Sequence, residues 1–318
     1  MNRMLTGGIL AAGLGLALPA QALNILLTND DGCRAPGIAA VYKALSAAGH
    51  NVTLVAPQND SSGIGAASVV SPGQALAVSK LADHQYCVGA PDGYATPAGK
   101  NMAIGTPVDA VNVGLDLLLK DSPPDLVVSG SNFGDNTGPL IQMSGTLNAA
   151  YWAMRKGVPA IAISTAIDLQ LFARDQKAGY QKTLAALDGS ARFAVQVLDQ
   201  ALAAGSKACA GKKDCELNIL GLPKGSGLNL NYPVGEVRGV TYAPVGDWSP
   251  INFRVEQGED GTARVNLAAP AKPTEQQRKS DAWLVSNGYA VVSVIDSGNG
   301  ISAASEQSAQ HIVQALKR

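Results

Sequence analysis

Two adjacent carboxylates, Asp30 and Asp31, end the stretch NILLTNDDG at residues 24–32. Like charges side by side need a cation, a proton or a basic partner. No Lys lies nearby in sequence, and the nearest base is Arg34. A divalent ion such as Mg²⁺ or Mn²⁺, which takes carboxylate and amide oxygens, meets the need with fewest assumptions. The plainer reading is that one Asp caps the following helix while the other is solvated. Three further stretches carry compatible chemistry. Residues 58–65, QNDSSGIG, offer the hydroxyls of Ser61 and Ser62; residues 129–138, SGSNFGDNTG, offer Asn132, Asp135 and Asn136; Ser144-Gly145-Thr146 opens an apolar helix. The last is an N-cap and equally an anion site, because free amides and the helix dipole meet there. A metal beside an anion site describes phosphate-ester chemistry.

The elements that must position these residues follow from apolar patterning. Residues 25–28 read as a buried parallel strand. A helix opens at Ala35-Pro36-Gly37 and ends at Gly49, and a second strand spans 52–56, giving a βαβ unit with a right-handed crossover. Residues 69–104 read as strands or a hairpin beside the main sheet, followed by a helix from Pro107, a strand at 125–130, the helix after Ser144 and a strand at 160–164. Residues 166–188 read as a polar segment, helical in places, inserted outside the sheet, residues 191–204 as a helix and 217–220 as a strand. Strands at 237–243, 253–257, 263–268 and 289–295 follow. The fold class is α/β: a doubly wound, mostly parallel sheet with a β-rich C-terminal extension. Residues 23–223 form the catalytic layer, and 224–318 form the extension with a final helix, expected to serve oligomerisation. In such sheets ligands sit beyond the carboxyl ends of the strands, where all four chemical stretches fall.

Composition narrows the partners. The 318 residues are 46% hydrophobic with a net charge of −1, so a nucleic-acid polymer has no basic surface to hold it. Residues 1–22 read as an export signal: Arg3, an apolar run, then Ala20-Gln21-Ala22 as a cleavage site, which implies a periplasmic or secreted protein with no membrane attachment once cleaved. The four cysteines suit an oxidising compartment. Cys209 and Cys215 close a short polar loop and are expected to pair, leaving Cys33 and Cys87 either as a bridge near the carboxylates or as two buried thiols. The histidines His50, His84 and His311 are scattered, no Cys is followed five residues later by Arg, residues 205–213 lack P-loop spacing, and GxSxG is absent. Those phosphatase and esterase chemistries therefore lack their parts. Tyr94, Phe133 and Tyr151 are aromatic candidates for stacking on a base or for packing.

The ordered blocks ILLTNDDG, LVAPQNDSSG, GTPVDAV, DLVVSGSNFGDN, SGTLNAA, GVPAIAIS, NLNYP and SDAWLVSNGYAVVSV resemble the SurE survival-protein family of metal-dependent 5′/3′-nucleotidases. The resemblance implies hydrolysis of nucleoside monophosphates and a homodimer or homotetramer. It places one Mg²⁺ or Mn²⁺ on Asp30, Asp31, Ser62 and Asn132, with Asn29 in the same motif and Asn136, Ser144, Gly145 and Thr146 near the phosphate. Asp30 or Asp31 would then orient or deprotonate a water, and Asn136 with the Gly145 and Thr146 amides would stabilise the phosphoryl charge. Ser131 and Cys33 stand where the family usually has apolar residues. Two other readings share these residues: a low-specificity acid phosphatase or exopolyphosphatase, and an exported nucleotide- or phosphate-binding protein without turnover. The paired carboxylates weigh against the last, because a bare anion receptor has no use for them.

Overall fold

A computed structural model of the chain describes residues 22–94, 103–258, 260–298 and 303–317. The export signal read at residues 1–22 lies, except for its final residue, outside them. The strands are β1 (Asn24–Thr28), β2 (Asn51–Pro57), β3 (Ala77–Ala82), β4 (Gln85–Gly89), β5 (Leu126–Phe133), β6 (Ala160–Thr165), β7 (Ser226–Tyr232), β8 (Gly239–Tyr242), β9 (Asn252–Gln257), β10 (Ala263–Ala268) and β11 (Tyr289–Asp296). The helices are α1 (Pro36–Ala47), α2 (Pro107–Val113), α3 (Gly145–Arg155), α4 (Leu169–Arg174), α5 (Gln176–Cys209), α6 (Asp281–Ser286) and α7 (Ala303–Leu316).

Nine strands form one sheet in the order β3-β4-β2-β1-β5-β6-β7-β11-β8. It is parallel apart from β3 at one edge and β11 against β7. Side chains alternate across each strand, so two apolar layers form. Ile25 and Leu27 belong to the layer that includes Ile38, Val41, Val197 and Ile312 of α1, α5 and α7. Leu26 and Val127 belong to the layer that includes Val111 and Leu147 of α2 and α3. Burial on both faces explains the near-continuous apolar runs.

The β-rich extension divides in two. β7, β8 and β11 continue the main sheet, while β9 and β10 form a separate antiparallel pair. The strand β7 was not among the expected ones, and two sequence-based assignments change. The helix expected at 191–204 begins at Gln176 and runs for 34 residues. Asp175 caps it by accepting from the Ala178 N–H, and its early buried positions, Gly179, Thr183 and Ser190, are small or polar, which hides the helical apolar period. Residues 217–220 make no strand. The Asn218 amide organises a turn there, its Oδ1 accepting from the Leu220 and Leu222 N–H groups, and only a Leu217–Pro223 bridge remains.

Candidate active site

Parallel pairing of β1 with β2 and β5 brings three loops to one rim: Leu27 pairs with Leu54, and Thr28 with Ser129. Backbone contacts lock the loops together. The Ser61 N–H donates to the Asp30 carbonyl at 2.8 Å, and the Cys33 N–H donates to the Pro57 carbonyl at 2.7 Å. The Phe133 N–H donates to Asp31 Oδ2 at 3.1 Å. A register shift between Ser129 and Asn132 breaks the β5–β6 ladder where the Asn132 loop begins.

Asp30 is buried, and Thr146 Oγ1 donates to its Oδ1 at 2.5 Å. The first turn of α3 lies directly against this carboxylate: a Cβ on Gly145 would stand 2.9 Å from Asp30 Oδ2 and 2.7 Å from Asp30 Cβ, so only glycine fits. Burial raises the Asp30 pKa, and the hydroxyl and amide of Thr146 oppose the rise. Asp31 is pushed up to about 7, mainly by burial and then by Asp30, against the Phe133 amide. No ion pair among the described residues includes Asp30, Asp31 or Asp60. Arg34, the nearest base in sequence, turns elsewhere: its Nη1 lies 3.7 and 3.8 Å from the sulfurs of Cys33 and Cys87, which form a disulfide. Cys209 and Cys215 form the second.

The charge deficit is what a divalent cation would relieve, and the surrounding atoms fit one. Asn29 Nδ2 donates to the Gly32 carbonyl, while its buried Oδ1 has no hydrogen-bond partner. Ser62 Oγ donates to Asp60 Oδ1 at 2.6 Å, which leaves its lone pairs open. Asn132 Nδ2 donates to the Gly134 carbonyl at 2.7 Å, which leaves Oδ1 open. In each case the donor is spent internally and an oxygen remains. No group of three or more His, Cys, Asp or Glu side chains among the described residues is arranged to hold a metal, so neutral oxygens would have to complete the set.

The remaining residues singled out from sequence are tied down differently. Ser144 Oγ accepts from the Leu147 N–H, an N-cap. The α3 N-terminus, expected to face a phosphate, serves the Asp30 carboxylate through Thr146. Asn136 is committed inside the protein: its N–H donates to Asn231 Oδ1, its Nδ2 donates to Ser164 Oγ, and its carbonyl accepts from Asn229 and Asn231. That geometry fixes Asn136 in the loop and leaves one Nδ2 proton outside these bonds. Ser131, unusual where an apolar residue was expected, is buried with its Oγ 2.7 Å from Thr165 Oγ1 and 3.3 Å from Ser190 Oγ.

Two supports escape a sequence reading. Asp60 holds Ser62 through both its N–H, at 2.8 Å, and its hydroxyl; the Asp-x-Ser spacing of a side-chain-closed turn was the available signal. Asp281 accepts from the N–H groups of Gly138, Gly246 and Ala282 and so fastens the 134–138 loop to the C-terminal extension. Burial pushes its carboxyl up to about 6 despite those bonds.

The family described as Survival protein SurE matches residues 25–251. A protein named 5'-nucleotidase SurE from Nitratidesulfovibrio vulgaris is 44% identical over 140 residues, covering 44% of this chain and 46% of the relative. One of the same name from Geobacter sulfurreducens is 36% identical over 211 residues, covering 66% of this chain and 62% of the relative. The chain spans about half the length of the first curated relatives it matches, 46%, 52% and 49%. The crystal structure of SurE protein from Aquifex aeolicus is similar over 93% of this chain and all of that one, with a TM-score of 0.61 and 25% identity.

Proposed function

This chain belongs to the survival protein SurE family, and from that premise we propose that it is a metal-dependent phosphomonoesterase acting on nucleoside monophosphates. The observation that carries the reading is the pair Asp30 and Asp31, held together at a strand-end rim with no cationic side chain among the described residues paired to either. The relatives named 5'-nucleotidase SurE support the substrate class.

Asp30, Asp31, Ser62 and Asn132 are the residues that would hold one Mg²⁺ or Mn²⁺, with Asn29 Oδ1 beside them. The ion would supply Lewis-acid polarisation of a phosphoryl oxygen. Thr146 fixes the orientation of Asp30, and the Phe133 amide fixes Asp31 through Oδ2. Asp30 Oδ2 and Asp31 Oδ1 are then the carboxylate oxygens left for the ion and the water, and Asp30 or Asp31 would orient that water and take its proton. Ser62 is preset by Asp60, so little reorganisation is needed when substrate arrives.

The test is phosphate release from a panel of nucleoside monophosphates with Mn²⁺, with Mg²⁺ and with EDTA. Metal-dependent release supports the reading; release that survives EDTA overturns it, and tight binding without release reassigns the protein as a receptor.

Export to the periplasm or beyond belongs to the same proposal, supported by the leader-like sequence at residues 1–22 and by two disulfides. So does assembly as a homodimer or homotetramer through β9 and β10, supported by the bare apolar face of that pair.

A further inference from the structure

The cleft that holds the acidic rim has a second wall of different chemistry. Asp31, Asp60 and Ser62 line it together with Phe133, Tyr180 and Leu187, around a volume of about 350 Å³. That volume is in the range of sites for small organic ligands. The phosphoryl chemistry of the rim has no use for an aromatic wall.

Tyr180 is 41% exposed, high for an aromatic ring on a long packed helix. Its ring centroid lies 4.9 Å from that of Phe133, tilted by 32°. Phe133 is the residue whose backbone N–H holds Asp31, so one residue joins the acidic rim, through its main chain, to the aromatic wall, through its ring. The position of Tyr180 is built rather than incidental. A Cβ on its neighbour Gly179 would stand 2.7 Å from Phe172 Cα, so glycine lets α4 lie directly on the start of α5. Asp168, the N-cap of α4, pairs with Lys182 of α5 at 2.6 Å. Leu187, seven residues beyond Tyr180, lies on the same helix face and continues the wall.

We propose that Tyr180, backed by Phe133, is a specificity-determining stacking platform for the base of the substrate, so that nucleotides are favoured over phosphate esters that lack a base. The inference rests on the phosphomonoesterase reading of the adjacent rim. Flat aromatic bases of any identity stack on such a ring, and each is worth about 5- to 150-fold in affinity. Purines, with more ring area, benefit most.

The test compares phosphate release from purine nucleoside 5′-monophosphates and from ribose 5-phosphate, with Mn²⁺ present, for the wild type, Tyr180→Ala and Tyr180→Phe. Tyr180→Ala is expected to raise KM for the nucleotide roughly tenfold or more while kcat and both constants for ribose 5-phosphate hold within about twofold. Tyr180→Phe, which keeps the ring, retains the wild-type preference. Equal losses on both substrates in Tyr180→Ala assign the ring to packing and overturn the platform. A wild type that uses both substrates equally also overturns it and leaves the phosphomonoesterase reading standing. A wild type that releases phosphate from neither removes both.

Discussion

The strand-end rim and the β9–β10 hairpin are built by the same alternation of side chains, yet they end in opposite environments. At the rim, two loops share backbone hydrogen bonds and the third donates its Phe133 amide to the Asp31 carboxylate, Asp30 is buried, and the strands beneath are covered on both faces. On the hairpin, Val255 pairs with Val265 and Phe253 with Leu267 on one face, 65%, 67%, 52% and 75% exposed. The opposite face carries Arg254 across from Asn266 and Glu256 across from Arg264. A lone two-stranded hairpin with an uncovered apolar face is marginal in water. The rim is thus packed by its own chain, whereas no described residue covers the apolar face of the hairpin. On the proposed reading, chemistry is concentrated in single atoms at the rim and association is spread over a face.

The sharpest break between the two regions is Asp31→Asn. It removes one of the paired charges, and phosphate release is expected to fall at least about a thousandfold, equivalent to roughly 4 kcal/mol of transition-state stabilisation. The same variant should melt no lower than wild type in EDTA, because burying an uncompensated charge is costly. Its assembly, read by light scattering, should be unchanged. Retained turnover would detach the chemistry from this rim.

Next in size is the Cys33–Cys87 disulfide, which closes a 54-residue separation and ties the loop after Asp31 to β4. Loop-closure entropy makes it worth about 4 kcal/mol, against about 2 kcal/mol for Cys209–Cys215, whose separation is 6. Paired Ser substitutions at each bridge, compared by denaturant midpoint, should differ in that order. Equal midpoints would mean that the rim does not depend on its covalent tie.

Smaller again is a pH effect centred on Asp281. Its folded pKa, about 6, lies above the ordinary carboxylate value, so the folded state holds the proton more tightly than the unfolded chain. The contribution of Asp281 to stability is therefore greatest at low pH and falls as pH rises from about 4 through about 6, by at most about 3 kcal/mol. Thermal melts in EDTA across that window should show a steeper fall for the wild type than for Asp281→Asn. Parallel slopes would show that the three amides around the carboxylate offset its burial fully.

What could be read in the sequence follows the same division. Asp30, Asp31 and the strand beneath them were legible because an apolar run meeting two acids has few structural uses. The loop of Asn132 and the cap at Ser144 were legible from glycines and turn chemistry. Direction in space was not: Arg34 points to the disulfide, the α3 N-terminus points to Asp30, and the Asn136 side chain points to Ser164 of β6, all decided by neighbours distant in sequence. The first half of α5 was hidden because its buried face uses Gly179, Thr183 and Ser190, and Tyr180 was hidden with it. The hairpin strands were legible from alternation, but alternation does not say that no described residue covers them.

The hairpin prediction is the smallest for the folded monomer and tests the comparison from the other side. Leu267→Asp places a charge in the middle of the apolar face. Leu267 is 75% exposed, so the stability of the monomer should change by no more than about 0.5 kcal/mol. Its cross-strand neighbour Phe253 would instead confront a desolvated carboxylate in any assembly that buries the face, and association should weaken at least about tenfold. Light scattering across a dilution series reads the assembly, and phosphate release at the same concentrations reads the rim. Monomers with unchanged turnover would confirm that the two regions are separable. Turnover lost in step with assembly would mean that the rim also depends on a neighbouring copy. Assembly that tolerates the charge would place the association surface somewhere other than this face.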